Sequence, residues 1–318
     1  MNKEILINVT PQETRVAILE NGVLQEVYIE RSRSKGLVGN IYKGRVCRVL
    51  PGMEAAFVEV GMERAGFLHV SDIAPHDSVS KPSISQLLTE GQDVLVQVIK
   101  DPMGTKGARL TANITIPSRY LVFMPNSTNV GVSARIEDEE ERERLRGMLL
   151  EQKELLGESG YIIRTAAETS TPESMVQDIL FLNKLWASIS EQNKAVPAGN
   201  VIHEDLSLPM RVLRDMIDSD LEKIRVDSRE TSKKMQRFAE KLVSDAQHKI
   251  EHYPGERPIF DLYGAEDEIQ KSLGSKAILE LGGYLIIDET EAMTTIEVDT
   301  GGFVGHCTLE ERYYKRNL

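Results

Sequence analysis

The amino-acid sequence predicts an α+β protein with several domains. Three observations support this prediction. The first 110 residues contain short alternations of apolar and polar residues typical of strands, whereas later segments carry the longer charged amphipathic patterns typical of helices. A hydrophobic content of 41% over 318 residues is enough for two or three cores. The sequence also shows no internal repeat and no low-complexity tract.

The N-terminal residues are predicted to form an antiparallel meander. Segments 4–9, 14–20 and 23–30 alternate between apolar and polar residues, and Asn21-Gly22 is typical of a tight hairpin turn. Three strands rarely form a stable core alone. This unit is therefore expected to pack against residues that are distant in sequence.

A small barrel is predicted from five further strands with glycine-marked corners: 41–50, 55–60, 66–70, 94–100 and 108–111. This pattern favours a Greek-key barrel of the OB type. Phe57 and Phe67 interrupt aliphatic runs on neighbouring strands, and Lys43, Arg45 and Lys106 are available for phosphates. Aromatic rings on such a barrel stack unpaired bases, at ~1–3 kcal/mol per base. The alternative is that both phenylalanines fill the barrel core.

Residues after 118 mix strands and helices. Strands are predicted at 120–125 and 161–165, a helix at 138–156, and another helix that begins at Thr171-Pro172. After a break at 195–199, two further helices are predicted at 208–225 and 228–250, where acidic and basic residues are mixed.

Charge and composition limit the function. The net charge of −12 argues against a protein that coats nucleic acid, because polyanion binding requires Lys and Arg. In residues 31–118, eleven Lys and Arg minus eight Asp and Glu leave +3, so a nucleic-acid surface is expected there.

Cys47 and Cys307 suggest neither a disulfide framework nor a zinc site, and both are expected to be buried or half-buried. Without a long apolar run or a signal peptide, we expect a cytoplasmic protein with no membrane span.

An acidic candidate site lies near the end of the sequence. Residues 284–288 form an apolar run that closes on Asp288, and in the β-branched run 294–299 Glu297 and Asp299 are two positions apart. In a strand this spacing places both carboxylates on one face, where Mg²⁺ would relieve their repulsion. The pattern favours a phosphodiester-cleaving site, and a solvated strand end is the open alternative.

Motifs spread along the chain resemble the ribonuclease E/G family of bacterial endoribonucleases. VGNIYKGR (38–45), EAAFV (54–58) and GFLH (66–69) are similar to the S1 RNA-binding domain inserted in that family. Further matches follow in family order: LINV (6–9), KGA (106–108), YLVFMP (120–125), IRTA (163–166) and IIDETEAM (286–293). GGFVGH (301–306) resembles the ribonuclease G branch more than the ribonuclease E branch.

The resemblance implies a domain order. Residues 1–36 and 200–275 would form an RNase H-like subdomain, interrupted by an S1/OB-fold RNA-binding domain at 37–118 and a 5′-sensor region at 119–199. Residues 276–318 would begin a DNase I-like catalytic domain. A discontinuous first domain would explain how three N-terminal strands acquire a complete core.

The resemblance also implies roles for individual residues. Phe57, Phe67 and Lys106 match positions that contact single-stranded RNA in the family. Three residues match its pocket for a 5′-monophosphate: Arg164, Thr165 and Val122. A guanidinium suits bidentate phosphate recognition, and a hydroxyl adds a hydrogen bond.

At the acidic strand the sequence departs from the family. The family strand normally reads Asp-x-Asn, with the Asp as an Mg²⁺ ligand, whereas this chain reads Glu297-Val298-Asp299. The family's partner aspartate lies on a later strand, and the sequence stops at Leu318 before that strand and before a CPxC zinc link. We therefore expect a fragment, a truncation or a degenerate homologue that binds RNA and cleaves it poorly or not at all.

The implied function is that of a single-stranded-RNA endoribonuclease in rRNA and mRNA processing and decay. It would prefer 5′-monophosphorylated RNA and use Mg²⁺ at Glu297 and Asp299. Single-stranded RNA is the expected partner, DNA is not, and homo-oligomerisation stays open. The alternative function is a non-catalytic RNA-binding or regulatory module.

Overall fold

The computed structural model describes residues 2–73, 82–217, 220–242, 244–279, 283–290 and 293–299. Within these residues the strands, in chain order, are β1 (Lys3–Val9), β2 (Glu13–Glu20), β3 (Val23–Arg31), β4 (Ile41–Leu50), β5 (Ala55–Glu59), β6 (Gly66–His69), β7 (Asp93–Lys100), β8 (Arg109–Thr111), β9 (Ile116–Pro117), β10 (Leu121–Met124), β11 (Val130–Val132), β12 (Gly160–Ile163), β13 (Asn200–His203), β14 (Leu221–Val226), β15 (Ile250–His252), β16 (Lys276–Ile278), β17 (Tyr284–Glu289) and β18 (Thr294–Asp299). The α-helices are α1 (Ile84–Leu87), α2 (Glu139–Leu150), α3 (Lys153–Leu156), α4 (Pro172–Ala195), α5 (Leu208–Asp215), α6 (Arg229–Leu242), α7 (Ile259–Leu262) and α8 (Ala265–Ser272).

The N-terminal meander belongs to a five-stranded sheet with the order β15-β14-β1-β2-β3. Strands β1, β2 and β3 pair antiparallel, while β14 runs parallel to β1 and β15 runs parallel to β14. Asn21 and Gly22 have φ values of 51° and 81°, as a tight turn between β2 and β3 requires. The predicted meander is confirmed, and its partner strands come from far along the chain.

Both faces of this sheet are covered. One face packs against α5 and α6 through Ile5, Ile7, Val16, Val212 and Met235. The other face packs against α7 and α8 through Leu6, Leu19, Phe260 and Ala265. Burial on both sides explains why the centre of β1 is continuously apolar.

The two helices predicted after residue 207 are partly wrong. Helix α5 ends at Asp215, and residues within the predicted helix 208–225 form strand β14 instead. Helix α6 ends at Leu242, and the predicted helix 228–250 gives way to a short 3₁₀ turn before β15. Because β14 lies between β1 and β15 and buries Ile224, tertiary pairing outweighs the helical preference of its charged residues.

Strands β4, β5, β6, β8 and β7 form a closed barrel, because β4 pairs with β5 on one side and with β7 on the other. The barrel core consists of alternate inward residues, among them Val46, Val58, Leu68, Val96 and Leu110. All five predicted strands are confirmed, with their ends within one residue of the predicted positions. Strand β13 pairs with β4 and ties the barrel to the later part of the chain.

A four-stranded sheet with the order β11-β12-β10-β9 follows the barrel. It packs against α2 and α4 through Phe123, Leu145, Tyr161, Ile179 and Leu182. Helix α4 begins where predicted, since the Thr171 side chain accepts a hydrogen bond from the Ser174 amide and Pro172 takes the first helical position. The predicted helix 138–156 is divided into α2 and α3.

Strands β16, β17 and β18 form a three-stranded antiparallel sheet at the end of the described chain. Most residues of β18 are exposed. Among the helices that the structure describes, none is both long and apolar enough to cross a membrane.

Candidate nucleic-acid interface

Phe57 and Phe67 form a pair on the outer face of the barrel. They are direct cross-strand neighbours on β5 and β6, with ring centroids 6.0 Å apart and an interplanar angle of 68°. His69 extends the pair, since its ring stacks on Phe67 at 6.5 Å and 25°. Both phenylalanines are half-buried, while the inward positions beside them, Ala56 and Leu68, are fully buried. The alternative that the phenylalanines fill the core is therefore wrong.

Basic residues continue the row of aromatic rings across the barrel. Arg48 on β4 lies opposite Phe57, Arg109 on β8 lies opposite Phe67, and Lys100 on β7 lies opposite Arg109. These three residues were not among the predicted contacts, because the register depends on irregularities between Val98 and Lys100 and between Val46 and Arg48. There the extra residue, Cys47, leaves Arg48 opposite Phe57, so a simple count along the strand fails. Cys47 is exposed, which contradicts its predicted burial, and Cys307 lies outside the described residues.

The three predicted phosphate contacts differ in their surroundings. The Lys43 ammonium donates to the Asn193 and Val196 carbonyls at 2.8 and 3.0 Å, so it caps the end of α4. Arg45 is exposed and donates from Nε to Asp93 at 2.9 Å, and this hydrogen bond lowers the pKa of the Asp93 carboxyl. Both groups therefore already have protein partners.

Lys106 lies on an exposed loop beside β6. The loop approaches Ala65 so closely that a Cβ added to Gly107 would lie 2.0 Å from the Ala65 carbonyl oxygen. Glycine at 107 is thus needed for this approach, which holds the neighbouring Lys106 near the strand that carries Phe67.

The predicted 5′-phosphate residues lie on β10 and directly after β12, the strand that pairs with it. In the β10–β12 pair Val122 lies opposite Ile162, and the Arg164 amide donates to the Tyr120 carbonyl at 2.8 Å. Thr165 follows at the start of a 3₁₀ turn, and its side chain and that of Val122 are half-buried. Strand pairing therefore brings together the backbones of residues 122, 164 and 165, which are far apart in sequence.

The guanidinium of Arg164 makes two contacts within the protein. Its Nη1 donates to the Ser118 carbonyl, and its Nη2 lies 2.7 Å from Asp215 Oδ1. Arg214 binds the same carboxylate at 2.9 Å and reaches Asp205 at 3.1 Å. Ser118, Arg214 and Asp215 also line a cavity of about 610 Å³ between the barrel, α4 and α5.

A buried carboxylate orders the turn behind Arg164. Asp178 on α4 is 3% exposed and accepts hydrogen bonds from the Ser118 hydroxyl at 2.5 Å and from the Tyr120 and Leu121 amides at 3.0 Å each. Burial raises the pKa of Asp178, and these hydrogen bonds partly offset the rise. Asp178 was not predicted from the sequence, because a single acid in a helix gives no signal of its own.

Glu297 and Asp299 lie on one face of β18. In the ladder with β17 they stand opposite Ile286 and Tyr284, with Asp288 further along the same face. A hydrogen bond to Asp299 raises the pKa of Tyr284, and the Lys276 ammonium lies 3.6 Å from the centre of the Tyr284 ring. Within the described residues no group of three or more His, Cys, Asp or Glu is placed to hold a metal ion.

Two models of known protein families match the parts of the chain that carry the candidate residues. The model of the S1 RNA binding domain matches residues 37–112, and the model of the Ribonuclease E/G family matches residues 115–318. Ribonuclease G of Salmonella typhimurium (strain SL1344) is 50% identical over the whole chain, and Ribonuclease G of Haemophilus influenzae is 50% identical over 99% of it. Ribonuclease E of Nostoc sp. is 36% identical over 98% of the chain and is covered over 45% of its own length.

The chain spans 66% of the length of both ribonuclease G relatives. The S1 match coincides with the closed barrel that carries the aromatic pair. The second match covers well over half of the chain and includes both the Arg164 region and β18. The chain therefore belongs to the ribonuclease E/G family.

Proposed function

We propose that this chain binds single-stranded RNA as part of an endoribonuclease that acts in rRNA and mRNA processing and decay. The observation that carries the proposal is the Phe57–Phe67 pair, which faces outward from the barrel although aromatic residues make up only 5% of the chain. Outward rings on an OB-type barrel stack unpaired bases without requiring a particular sequence. The names of the relatives agree with this chemistry.

The phosphates of the RNA would follow the basic row beside these rings. Arg48 and Lys100 are exposed at its two ends, and Lys106 lies near β6. Lys43 and Arg45, the other predicted contacts, would have to exchange protein partners for phosphate. We therefore assign them a smaller share of the binding energy than Lys106.

The 5′ end of the RNA would bind near Arg164. Arginine recognises phosphate through several N–H groups in a fixed plane, and the Thr165 hydroxyl can add another donor. Val122 lies two residues from Tyr120, the backbone partner of Arg164, and this proximity supports one common pocket. A 5′-monophosphate is the ligand that we propose for it.

The catalytic site is proposed to lie at Glu297 and Asp299. Mg²⁺ is commonly bound by one or two carboxylates together with water and substrate phosphates, so this pair fits part of its donor set. When bound, the ion would stabilise the charge that develops on the phosphodiester. The protein would hold the ion through Glu297 and Asp299, while the Tyr284 hydroxyl orients the second carboxylate.

The order of the first sheet supports an RNase H-like subdomain made of two chain segments. Three antiparallel strands are followed by two parallel strands supplied from beyond residue 220. We also propose that β16–β18 begin a DNase I-like domain.

Cleavage of a 5′-monophosphorylated single-stranded RNA by the purified chain tests the catalytic part. We expect little or no Mg²⁺-dependent cleavage but clear binding. Strong cleavage that is abolished by Glu297→Gln and Asp299→Asn would show instead that this chain has a complete site. Weak Mg²⁺-dependent cleavage that Glu297→Gln abolishes supports the endoribonuclease, whereas binding with no cleavage at any metal concentration favours the alternative of a non-catalytic RNA-binding module.

A further inference from the structure

Arg164 is paired with a counter-ion inside the protein. Its Nη2 contacts Asp215 at 2.7 Å and its Nη1 donates to the Ser118 carbonyl. A guanidinium has five N–H donors, so these two contacts leave three for a ligand. Any phosphate that binds to Arg164 must therefore share the guanidinium with a carboxylate.

A second arginine fixes this carboxylate in place. Arg214 donates to Asp215 from Nε at 3.1 Å and from Nη2 at 2.9 Å, and only 10% of its side chain is exposed. Burial by itself would raise the pKa of Asp215, but the hydrogen bonds and charges of Arg214 and Arg164 outweigh burial and lower it. Asp215 is thus ionised at neutral pH and cannot easily turn away from Arg164.

We propose that Asp215 determines which 5′ ends bind at Arg164, because its negative charge admits a monophosphate and disfavours a triphosphate. The inference rests on the proposed 5′-phosphate site. The carboxylate is close enough to the guanidinium for its field to reach the phosphates of a bound 5′ end, given a screening length of ~8 Å at physiological ionic strength. Repulsion grows with each negative charge on the RNA end, whereas a 5′-hydroxyl is not repelled.

The test compares three single-stranded RNAs of one sequence that end in a 5′-hydroxyl, a 5′-monophosphate or a 5′-triphosphate. Their Kd values are measured by fluorescence anisotropy in EDTA, so that the RNA stays intact. Asp215→Asn removes the charge but keeps an oxygen that can accept from Arg164. Glu230→Gln is the matched control, because it removes one exposed charge from a pair with Lys234 on α6.

We expect Asp215→Asn to leave hydroxyl RNA unchanged, to tighten monophosphate RNA by ~2-fold to 3-fold and to tighten triphosphate RNA by ~10-fold. The ratio of triphosphate to monophosphate Kd then falls at least about threefold. Glu230→Gln and Asp215→Glu should keep the wild-type ratio. Since each ratio is taken within one preparation, a partly unfolded fraction cancels, and Asp215→Ser provides the same test if the Asn variant does not fold.

The outcomes separate this inference from the function on which it rests. If the wild-type chain binds monophosphate and hydroxyl RNA equally, there is no 5′-phosphate site and the role of Asp215 fails with it. If the wild-type chain prefers monophosphate RNA but Asp215→Asn leaves the ratio unchanged, or weakens both phosphorylated RNAs, only the role of Asp215 is refuted.

Discussion

Removal of the two barrel phenylalanines is the most direct perturbation of the proposed RNA surface. Phe57→Ala, Phe67→Ala and the double variant take away rings that lie 6.0 Å apart on neighbouring strands. Both side chains are half-buried, and the core residues behind them are untouched. The substitutions should therefore change binding much more than folding.

The size of the effect follows from base stacking, which contributes ~1–3 kcal/mol per base. Part of each ring is covered by its neighbour, so we take the lower half of this range, about 1–2 kcal/mol per ring. With 1.4 kcal/mol per tenfold change, each single variant should bind roughly 5-fold to 30-fold more weakly. The double variant should lose less than the product of the two factors, because the rings contact each other.

Anisotropy with a labelled single-stranded RNA at one fixed salt concentration measures the effect. Tyr28→Ala is the control, since it removes a partly exposed ring from β3 rather than from the barrel. Circular dichroism and thermal melting establish that each variant is folded. If the folded double variant binds RNA within twofold of the wild-type chain, the stacking surface does not exist and the reasoning from the outward rings is refuted.

Three further predictions concern single side chains. Lys106→Ala should weaken RNA binding and lower the slope of log K against log salt by ~0.7. Lys43→Ala should lower that slope by less and cost about 1–3 kcal/mol of unfolding free energy, because its ammonium holds two carbonyls at the end of α4. Salt titrations and urea unfolding distinguish the two. Asp178→Asn should destabilise the fold by about 1–3 kcal/mol in urea unfolding. The two carboxylate oxygens of Asp178 accept hydrogen bonds from three donors, whereas the amide of Asn has only one acceptor oxygen. An unchanged unfolding midpoint would contradict this prediction. The pKa of Asp215 is lower in the folded state than in the unfolded state. Its contribution to the free energy of unfolding is therefore complete above the unfolded pKa of ~3.9 and is lost as the pH falls through the folded pKa. The stability difference between the wild-type chain and Asp215→Asn should thus be largest near pH 6 and shrink as the pH falls below about 4.

Local patterns predicted the strands of the meander and of the barrel well. Alternation and turn residues are properties of a few neighbouring residues, and Asn21-Gly22 adopts the positive φ values that a tight hairpin turn needs. The start of α4 was predictable for the same reason, because Thr171 and Pro172 act within one helical turn. Motif similarity added the family, which local patterns alone do not give.

Predictions failed where distant segments decide the conformation. Leu221–Val226 carries charged residues suited to a helix, yet it forms β14 because β1 and β15 flank it. The basic row beside Phe57 was missed for a related reason, since its register depends on irregular pairing at Cys47 and between Val98 and Lys100. Neither feature can be read from a short window of sequence.

The sequence by itself determined the β-rich first third, the aromatic and acidic candidates and the family to which the chain belongs. Only the tertiary structure decided which of these side chains are available. It turned Phe57 and Phe67 outward, bound Lys43 to the end of α4 and paired Arg164 with Asp215. The physical reason is that a side chain's chemistry is local, whereas its partners are set by contacts between residues that lie far apart in the chain.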